Sequence, residues 1–288
     1  MRSIMHVFLG VAAAFAIGAC GDSAKSDSGP PAASAVAGVP AELKAKGTLT
    51  VATDATYPPM EFTAGDGRTV IGMDPDLITA VAEKMGLKVK IVNATFDGIL
   101  PGLAAGKYDI GVAAFTDTKE REKTVDFVTY FTAGTSFFVK ADGGPGIATR
   151  DDLCGHKVAV EKGTIQVDDA TAQDKKCKAG GKPAVDVLTF PDQNGANLAL
   201  SSGRADVGMG DSPVVAYIAK KSGGRFKVVG DSYDTAPYGV AIPKGNGLAE
   251  PLLDAMKRTI ADGDYDSILD KWGLADGAVD EPAINAAK

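Results

Sequence analysis

Imidazole and thiol, the usual agents of nucleophilic and metal chemistry, are scarce in this chain. Its 288 residues hold two histidines, His6 and His156, and three cysteines, Cys20, Cys154 and Cys177. A Ser-His-Asp or Cys-His design would have to rest on His156, and neither Cys154 nor Cys177 sits in the C-x-x-C spacing of a metal site. Phosphate cradling has no support either. The run Gly102-Leu103-Ala104-Ala105-Gly106-Lys107 is wrongly spaced for a phosphate loop and has no Ser or Thr after its lysine. What the chain does offer is polar groups in a repeated setting. Leu103-Ala104-Ala105-Gly106-Lys107-Tyr108-Asp109-Ile110-Gly111-Val112 matches Leu200-Ser201-Ser202-Gly203-Arg204-Ala205-Asp206-Val207-Gly208-Met209 in residue type. Each copy reads as a helix ending at glycine, followed by a strand. The residues past those strands, Ala113, Ala114, Phe115, Thr116 and Asp117 in one copy and Gly210, Asp211 and Ser212 in the other, emerge where open α/β sheets bind ligands. Two similar lobes with polar strand ends predict a cleft between them.

The elements that must position these groups follow from periodicity. Strand-like runs at 49–53, 89–92, 109–112, 136–139, 157–160, 185–188, 206–209, 227–229 and 239–242 alternate with helix-like runs, the pattern of an α/β fold with a largely parallel sheet. Asp74-Pro75-Asp76 reads as an N-cap, a proline at the first helical position and a first-turn acid. Leu77, Ile78, Val81 and Met85 follow at helical spacing, and Gly86 stops the helix. Leu252, Leu253, Met256 and Ile260 form another apolar face, residues 265–272 a short final helix, and residues after Gly273 a loose tail. The length suits one large or two ordinary domains with a sizeable core. Lys+Arg 30 against Asp+Glu 37 gives a formal charge of −7, and with no basic cluster this argues against nucleic-acid binding. A multi-pass membrane protein is excluded, because the one notable apolar stretch, 7–19, is too short to span a bilayer.

That stretch lies where a secretory signal would, with Arg2 as its positive end. Ile17-Gly18-Ala19-Cys20 resembles the lipobox of bacterial lipoproteins. Cleavage would then remove 1–19 and leave Cys20 diacylglycerol-modified, tethering the protein to the outer face of the cytoplasmic membrane. Residues 21–40, mostly Gly, Ala, Ser, Pro and Asp, read as a flexible tether. With Cys20 set aside, Cys154 and Cys177 form an even pair in an exported protein, which favours a disulfide. Asn93-Ala94-Thr95 fits a glycosylation sequon but reads as the end of a strand.

Seven motifs in order then resemble the bacterial extracellular solute-binding proteins of the polar amino-acid class, the receptors that feed ABC importers. They are Thr53-Asp54-Ala55-Thr56-Tyr57-Pro58-Pro59-Met60-Glu61-Phe62, Gly72-Met73-Asp74-Pro75-Asp76-Leu77 and Phe96-Asp97-Gly98-Ile99-Leu100-Pro101-Gly102-Leu103. Further along come Thr116-Asp117-Thr118-Lys119-Glu120-Arg121, Asp126-Phe127-Val128-Thr129-Tyr130, Val158-Ala159-Val160-Glu161-Lys162-Gly163-Thr164 and Tyr238-Gly239-Val240-Ala241-Ile242-Pro243-Lys244. From Asp211 to Trp272 the chain is especially similar to glutamine-binding receptors. The resemblance implies an α/β, two-lobed periplasmic-binding-protein fold of type II, with two hinge strands and a ligand cleft between the lobes. Lobe 1 would hold 46–134 plus 235–274 and lobe 2 would hold 135–234. Residues 20–45 would form the lipidated Cys and tether, and 275–288 a tail.

It also implies a ligand-binding set: Asp54, Tyr57, Phe96, Ala114, Thr116, Arg121, Glu161, Thr164 and Asp211. Arg121 matches the clamp on the ligand's α-carboxylate, a role that suits a planar fork of donors. Thr116 and Thr164 match hydroxyl donors to that carboxylate. Asp211 with the Ala114 carbonyl matches the α-ammonium acceptors, and Tyr57 and Phe96 match aromatic walls. Glu161 stands where glutamine receptors carry lysine, which points toward a cationic side chain such as that of arginine, lysine or ornithine, with Glu61 a possible second carboxylate. The expected function is capture of a free polar or basic amino acid and its delivery to permease subunits. The chain is expected to act as a monomer, bound to the membrane by its lipid alone, with no cofactor, metal or nucleic acid. The alternative is an enzyme of the same fold, a periplasmic cyclohexadienyl or arogenate dehydratase with Glu161 or Glu61 as general acid.

Overall fold

Parallel strands that each lead into a helix build two similar halves. The computed structural model describes residues 35–288; the expected signal peptide, Cys20 and the tether through residue 34 lie outside them. The first half contains α1 (Ala41–Lys46), β1 (Thr48–Thr53), three short strands β2 (Thr56–Tyr57), β3 (Glu61–Thr63) and β4 (Val70–Ile71), then α2 (Met73–Lys84), β5 (Lys88–Asn93), α3 (Phe96–Ala104) and β6 (Ile110–Gly111). The long β7 (Val125–Lys140) leads into the second half, made of β8 (Lys157–Glu161), α4 (Ile165–Ala179), β9 (Asp186–Phe190), α5 (Gln193–Ser201), β10 (Val207–Asp211) and α6 (Ser212–Lys221). The long β11 (Phe226–Pro243) returns to the first half, which α7 (Ala249–Ala261) and α8 (Asp264–Trp272) complete.

One eight-stranded sheet runs in the order β5-β1-β6-β11-β7-β10-β8-β9. β1 lies parallel to β5 and β6, and β8 parallel to β9 and β10. The antiparallel β7 and β11 pass through both halves, and their register breaks between Val229 and Tyr233 and again between Tyr233 and Ala236. Opposite this break a side chain at Gly134 would collide with Ser232 and Tyr233, so the strands bend where backbones approach most closely. Helices cover both sheet faces of each half. In the first half α2, α7 and α8 bury Leu77, Val81, Leu252 and Leu269 on one face, and α3 buries Ile99 and Leu103 on the other. In the second half α4 buries Ala170 and Cys177 against Val158, and α5 buries Ala196 and Ala199 against Ala159.

The sequence repeat has a physical basis. After α3 and after α5 the chain turns at Gly106 (φ 69°) and Gly203 (φ 77°), the left-handed conformation that favours glycine. Asp109 then accepts the Thr50 N–H at 2.6 Å, and Asp206 accepts the Lys157 N–H at 2.9 Å. Each aspartate thus ties its own strand to the start of the neighbouring one, β1 in one half and β8 in the other.

Three local expectations are corrected. Asp74 does not cap α2: the cap position is Gly72, and Asp74 is buried, accepting the Ala114 N–H and the Tyr130 O–H, each at 2.9 Å. The tether ends earlier than the expected 40 or 45, because Val36 and Val39, two large apolar groups in a small-residue stretch, are buried, the Val36 N–H bonds Lys84 O, and α1 occupies Ala41–Lys46. Residues 275–288 are not loose. Val128 and Ile284 form an antiparallel bridge, and the Thr129 N–H donates to Ala283 O at 2.9 Å, covering an edge of β7 that would otherwise be unpaired.

Among the described residues no helix is long and apolar enough to cross a membrane. The expected disulfide joins Cys154 and Cys177 across 23 residues, linking the approach to β8 with α4. Replacing both by serine is expected to remove about 3 kcal/mol of stability, by relaxing the unfolded chain. A denaturant melt under oxidising conditions reads this, and coincident curves for variant and parent would refute it.

Candidate functional site

Carboxyl ends of the parallel strands from both halves converge on one cleft, as open α/β sheets favour. Asp54 follows β1, Ala113, Ala114 and Thr116 follow β6, Glu161 ends β8 and Asp211 ends β10. They surround about 300 Å³ of space, cleft mouth included, together with Tyr57, Glu61, Phe96, Arg121, Thr164, Ile165 and Gln166. All nine residues expected from the sequence therefore line a single cavity. The halves also touch across it. The Asp211 N–H donates to Tyr57 Oη at 2.8 Å, and Arg121 donates to Gly163 O at 3.0 Å. At the rim Lys162 pairs with Asp97 at 2.8 Å, so this lysine does not neutralise Glu161.

Arg121 rises from a 3-10 turn, Arg121–Lys123. Its guanidinium carbon lies 5.4 Å from the ring centre of Phe96 and 5.5 Å from that of Phe115, two rings stacked at 4.5 Å. That contact with two aromatic faces orients the fork, and a bond to Thr116 O at 2.8 Å fixes its roll. Asp211 accepts from Gln166 Nε2 at 2.7 Å and from the Tyr238 O–H at 2.6 Å. Asp54 accepts the Phe96 N–H at 2.8 Å and the Thr56 O–H at 2.7 Å, which places its charge at the start of α3. The Thr164 hydroxyl is committed to Glu161 O at 2.7 Å, so what this residue turns to the cavity is the start of α4. Ala114 holds a left-handed φ of 44°, stabilised by the bond from its N–H to Asp74.

Acids outnumber bases here. Burial, then the charges of Asp54, Asp192 and Asp211, drive the Glu161 carboxyl up to about 9. Burial raises Glu61 well above the usual carboxylate range, and Asp74 beside it raises it further. Asp74 itself is pushed up to about 6 by burial. Glu61 thus keeps its proton and can donate it to Asp74 Oδ1, which has no other partner. Burial also raises Asp54 and Asp211, against the bonds they accept. Desolvation lowers Arg121 to about 10, a shift that Asp211, Asp168 and Asp117 resist, so it stays cationic at neutral pH.

Two features escaped the sequence. Gln166, buried and bonded to both Asp211 and Thr135 Oγ1, carries no motif beyond its place two residues after Thr164. Phe115, one of the residues expected just past the first strand, backs Arg121, a contact that no motif announced. His156 precedes β8 at the opposite end from Glu161 and takes no part in the cleft. Among the described residues no group of three or more His, Cys, Asp or Glu is placed to hold a metal ion.

Residues 49–275 match the model of the bacterial extracellular solute-binding proteins, family 3. The arginine-binding protein ArgT of Corynebacterium glutamicum is 38% identical over 248 residues, 86% of this chain and 81% of that protein. Among solved structures, an ancestral arginine-binding protein bound to arginine superposes with a TM-score of 0.71 at 39% identity, covering 78% of this chain and 98% of the other. An ancestral amino acid-binding protein, a precursor of cyclohexadienyl dehydratase, superposes with 0.69 at 38% identity over 80% of this chain and 97% of the other. The fold is the two-lobed type II architecture of periplasmic amino-acid-binding proteins. With a cleft between the two halves of one sheet, two long strands that run through both halves and a family match over most of its length, the chain belongs to the bacterial extracellular solute-binding proteins, family 3.

Proposed function

We propose that this protein is the receptor of an ABC importer and captures a basic amino acid, arginine foremost, between its lobes. One observation carries the ligand choice: four carboxyl groups, Asp54, Glu61, Glu161 and Asp211, face the cavity against a single cation, Arg121. A ligand with one carboxylate and two cationic groups suits that imbalance, whereas a neutral side chain leaves Glu161 buried without a partner. The α-carboxylate would lie on the Arg121 fork, the Thr116 hydroxyl and the first-turn amides of α4, where both the guanidinium and the helix end favour an anion. The α-ammonium would sit between Asp211 and the Ala114 carbonyl. The side-chain cation would reach Glu161 and Asp54, and its arrival would favour release of the Glu161 proton.

Residues 46–134 with 235–274 would form one lobe and 135–234 the other, closing by bending of β7 and β11. Residues 275–288 would travel with the first lobe, whose β7 edge they cover. The mature chain would hang from the outer face of the cytoplasmic membrane by lipid on Cys20 and pass its ligand to the permease as a monomer. Neutral Glu161 is also what a dehydratase would use as its general acid. Turnover of arogenate or prephenate by the purified protein would favour that reading over transport.

A thermal-melt screen of ligand-stripped protein against the common amino acids tests the assignment. Ligand at about a hundred times its Kd adds roughly 2.7 kcal/mol, and arginine, lysine or ornithine should give the largest rise. A larger shift with glutamine would overturn the choice of a basic ligand. Arg121→Ala and Asp211→Asn are each expected to weaken arginine binding at least about a hundredfold by calorimetry, the loss typical of a severed buried charge pair; wild-type affinity in either would refute the role given to that residue.

Glu161 also predicts a pH dependence. Its proton is held up to about 9 in the folded chain against an ordinary 4.5. The stabilisation is therefore full below about 4.5 and is lost as the pH rises toward about 9. The ligand-free protein should lose stability across that window. Glu161→Gln should flatten the loss and raise the melting temperature at pH 8, while weakening arginine binding about tenfold or more. Parallel pH profiles for variant and parent would contradict this.

A further inference from the structure

The match to the family ends at residue 275, yet the residues beyond it are bonded to the segment that carries Arg121. In the first half β7 has β11 on one side only, and residues 283–287 lie along its other side. The Asn285 N–H donates to Phe127 O at 3.0 Å, and the Phe127 N–H returns a bond to Asn285 Oδ1 at 2.9 Å. Asn285 Nδ2 reaches Asp126 at 2.9 Å. From there the strap crosses to the turn itself: the Ala286 N–H donates to Asp117 at 2.7 Å and the Ala287 N–H to Glu122 at 3.2 Å. Asp117 and Glu122 stand on either side of Arg121 in the chain.

Apart from the strap, that turn is held mainly by bonds within itself. The 3-10 segment is three residues long, with backbone bonds from the Glu122 N–H to Thr118 O, the Lys123 N–H to Glu120 O and the Thr124 N–H to Arg121 O, and the Arg121 N–H donates to Thr118 Oγ1 at 3.2 Å. Short 3-10 turns have poor hydrogen-bond geometry and hold themselves weakly. On the inner side the guanidinium bonds Thr116 O and Gly163 O, and Gly163 belongs to the opposite half. When the halves part, that second tie is lost, and the outer ties share with Thr116 O and the Phe96 and Phe115 rings the task of defining where Arg121 stands. Asp117 is buried, and besides accepting the Ala286 N–H its charge favours the Arg121 cation.

We propose that the strap 278–288 is a positioning element of the ligand site, which holds the Arg121 turn in its binding geometry through Asp117, Glu122, Asp126 and Phe127. The idea rests on Arg121 as the clamp for the ligand carboxylate. A clamp fixed in advance loses less conformational freedom when it binds, so the strap should act on affinity although none of its residues lines the cavity.

Two variants test it. Asn285→Gly keeps the left-handed backbone at that position (φ 54°) and removes both side-chain bonds, and a chain ending at residue 282 removes the pairing as well. Hydrogen exchange on the ligand-free proteins should accelerate about tenfold or more across 117–127 and stay unchanged in β8. Calorimetry with the amino acid that stabilises the wild type should show affinity reduced about tenfold, with the melting temperature of ligand-free Asn285→Gly close to that of its parent. Unchanged exchange at 117–127, acceleration spread evenly over the protein, or loosened exchange with wild-type affinity would each overturn the positioning role. Should the shortened chain fail to fold, Asn285→Gly alone decides. A wild type that binds no amino acid would instead overturn the reading of the site, and the exchange pattern would still show whether the strap fixes the turn.

Discussion

Four carboxyl groups enclosed with one guanidinium set the terms for the rest of this structure. Charges of one sign crowded in a poorly solvated cleft cannot all persist, so some acids retain protons and others need donors. The fold meets both demands. Glu61 stays protonated beside Asp74, whose other oxygen is held by Ala114 and Tyr130. Asp211 is satisfied by Gln166 and Tyr238, and Asp54 by the start of α3. Glu161 has no such donor, and one of its oxygens is buried without a partner. Its unmet need is the feature on which the proposed choice of a cationic ligand rests.

Much of this was legible in the sequence because an α/β sheet places its binding groups at predictable points. Once strands ending near Thr53, Val112, Val160 and Met209 are recognised, Asp54, Ala114, Glu161 and Asp211 must surface at one end of the sheet, and the family motifs name the rest. What stayed hidden depends on partners far away in the chain. Asp74 has the local context of a helix cap, but its bonding partners lie 40 and 56 residues on. Of β7 only 136–139 read as a strand, and β11 read as two short ones, 227–229 and 239–242, because glycines and bulges interrupt their alternation. The strap has no apolar periodicity, since its attachments are mostly backbone amides and one asparagine. Val36 and Val39 were two apolar residues in a stretch whose composition argued against packing.

The hinge region balances two requirements. β7 and β11 must stay paired through both halves to keep the sheet continuous, and they must bend without breaking a core. Gly134 and the displaced register from Val229 to Ala236 mark where the paired strands depart from regular pairing; the cluster under α5 lies in the second half, whereas the largest cluster joins Val214, Val215 and Phe226 of the second half to the core of the first.

The repeated helix-glycine-strand unit gives the cleft a further character. Asp109 and Asp206 make the same bond to the same place in two similar halves, so the ligand site is in effect the interface of a dimer whose subunits share one chain. Linking two partners replaces their association constant with an effective concentration, on the order of millimolar for short connections. Closure then needs no extensive interface of its own. Among the contacts across the gap are a phenol on a backbone amide, a guanidinium on a carbonyl, the Tyr238 hydroxyl on Asp211, the Gln193 amide on Thr56 and one exposed ion pair at the rim, polar links that can exchange for water when the ligand must leave.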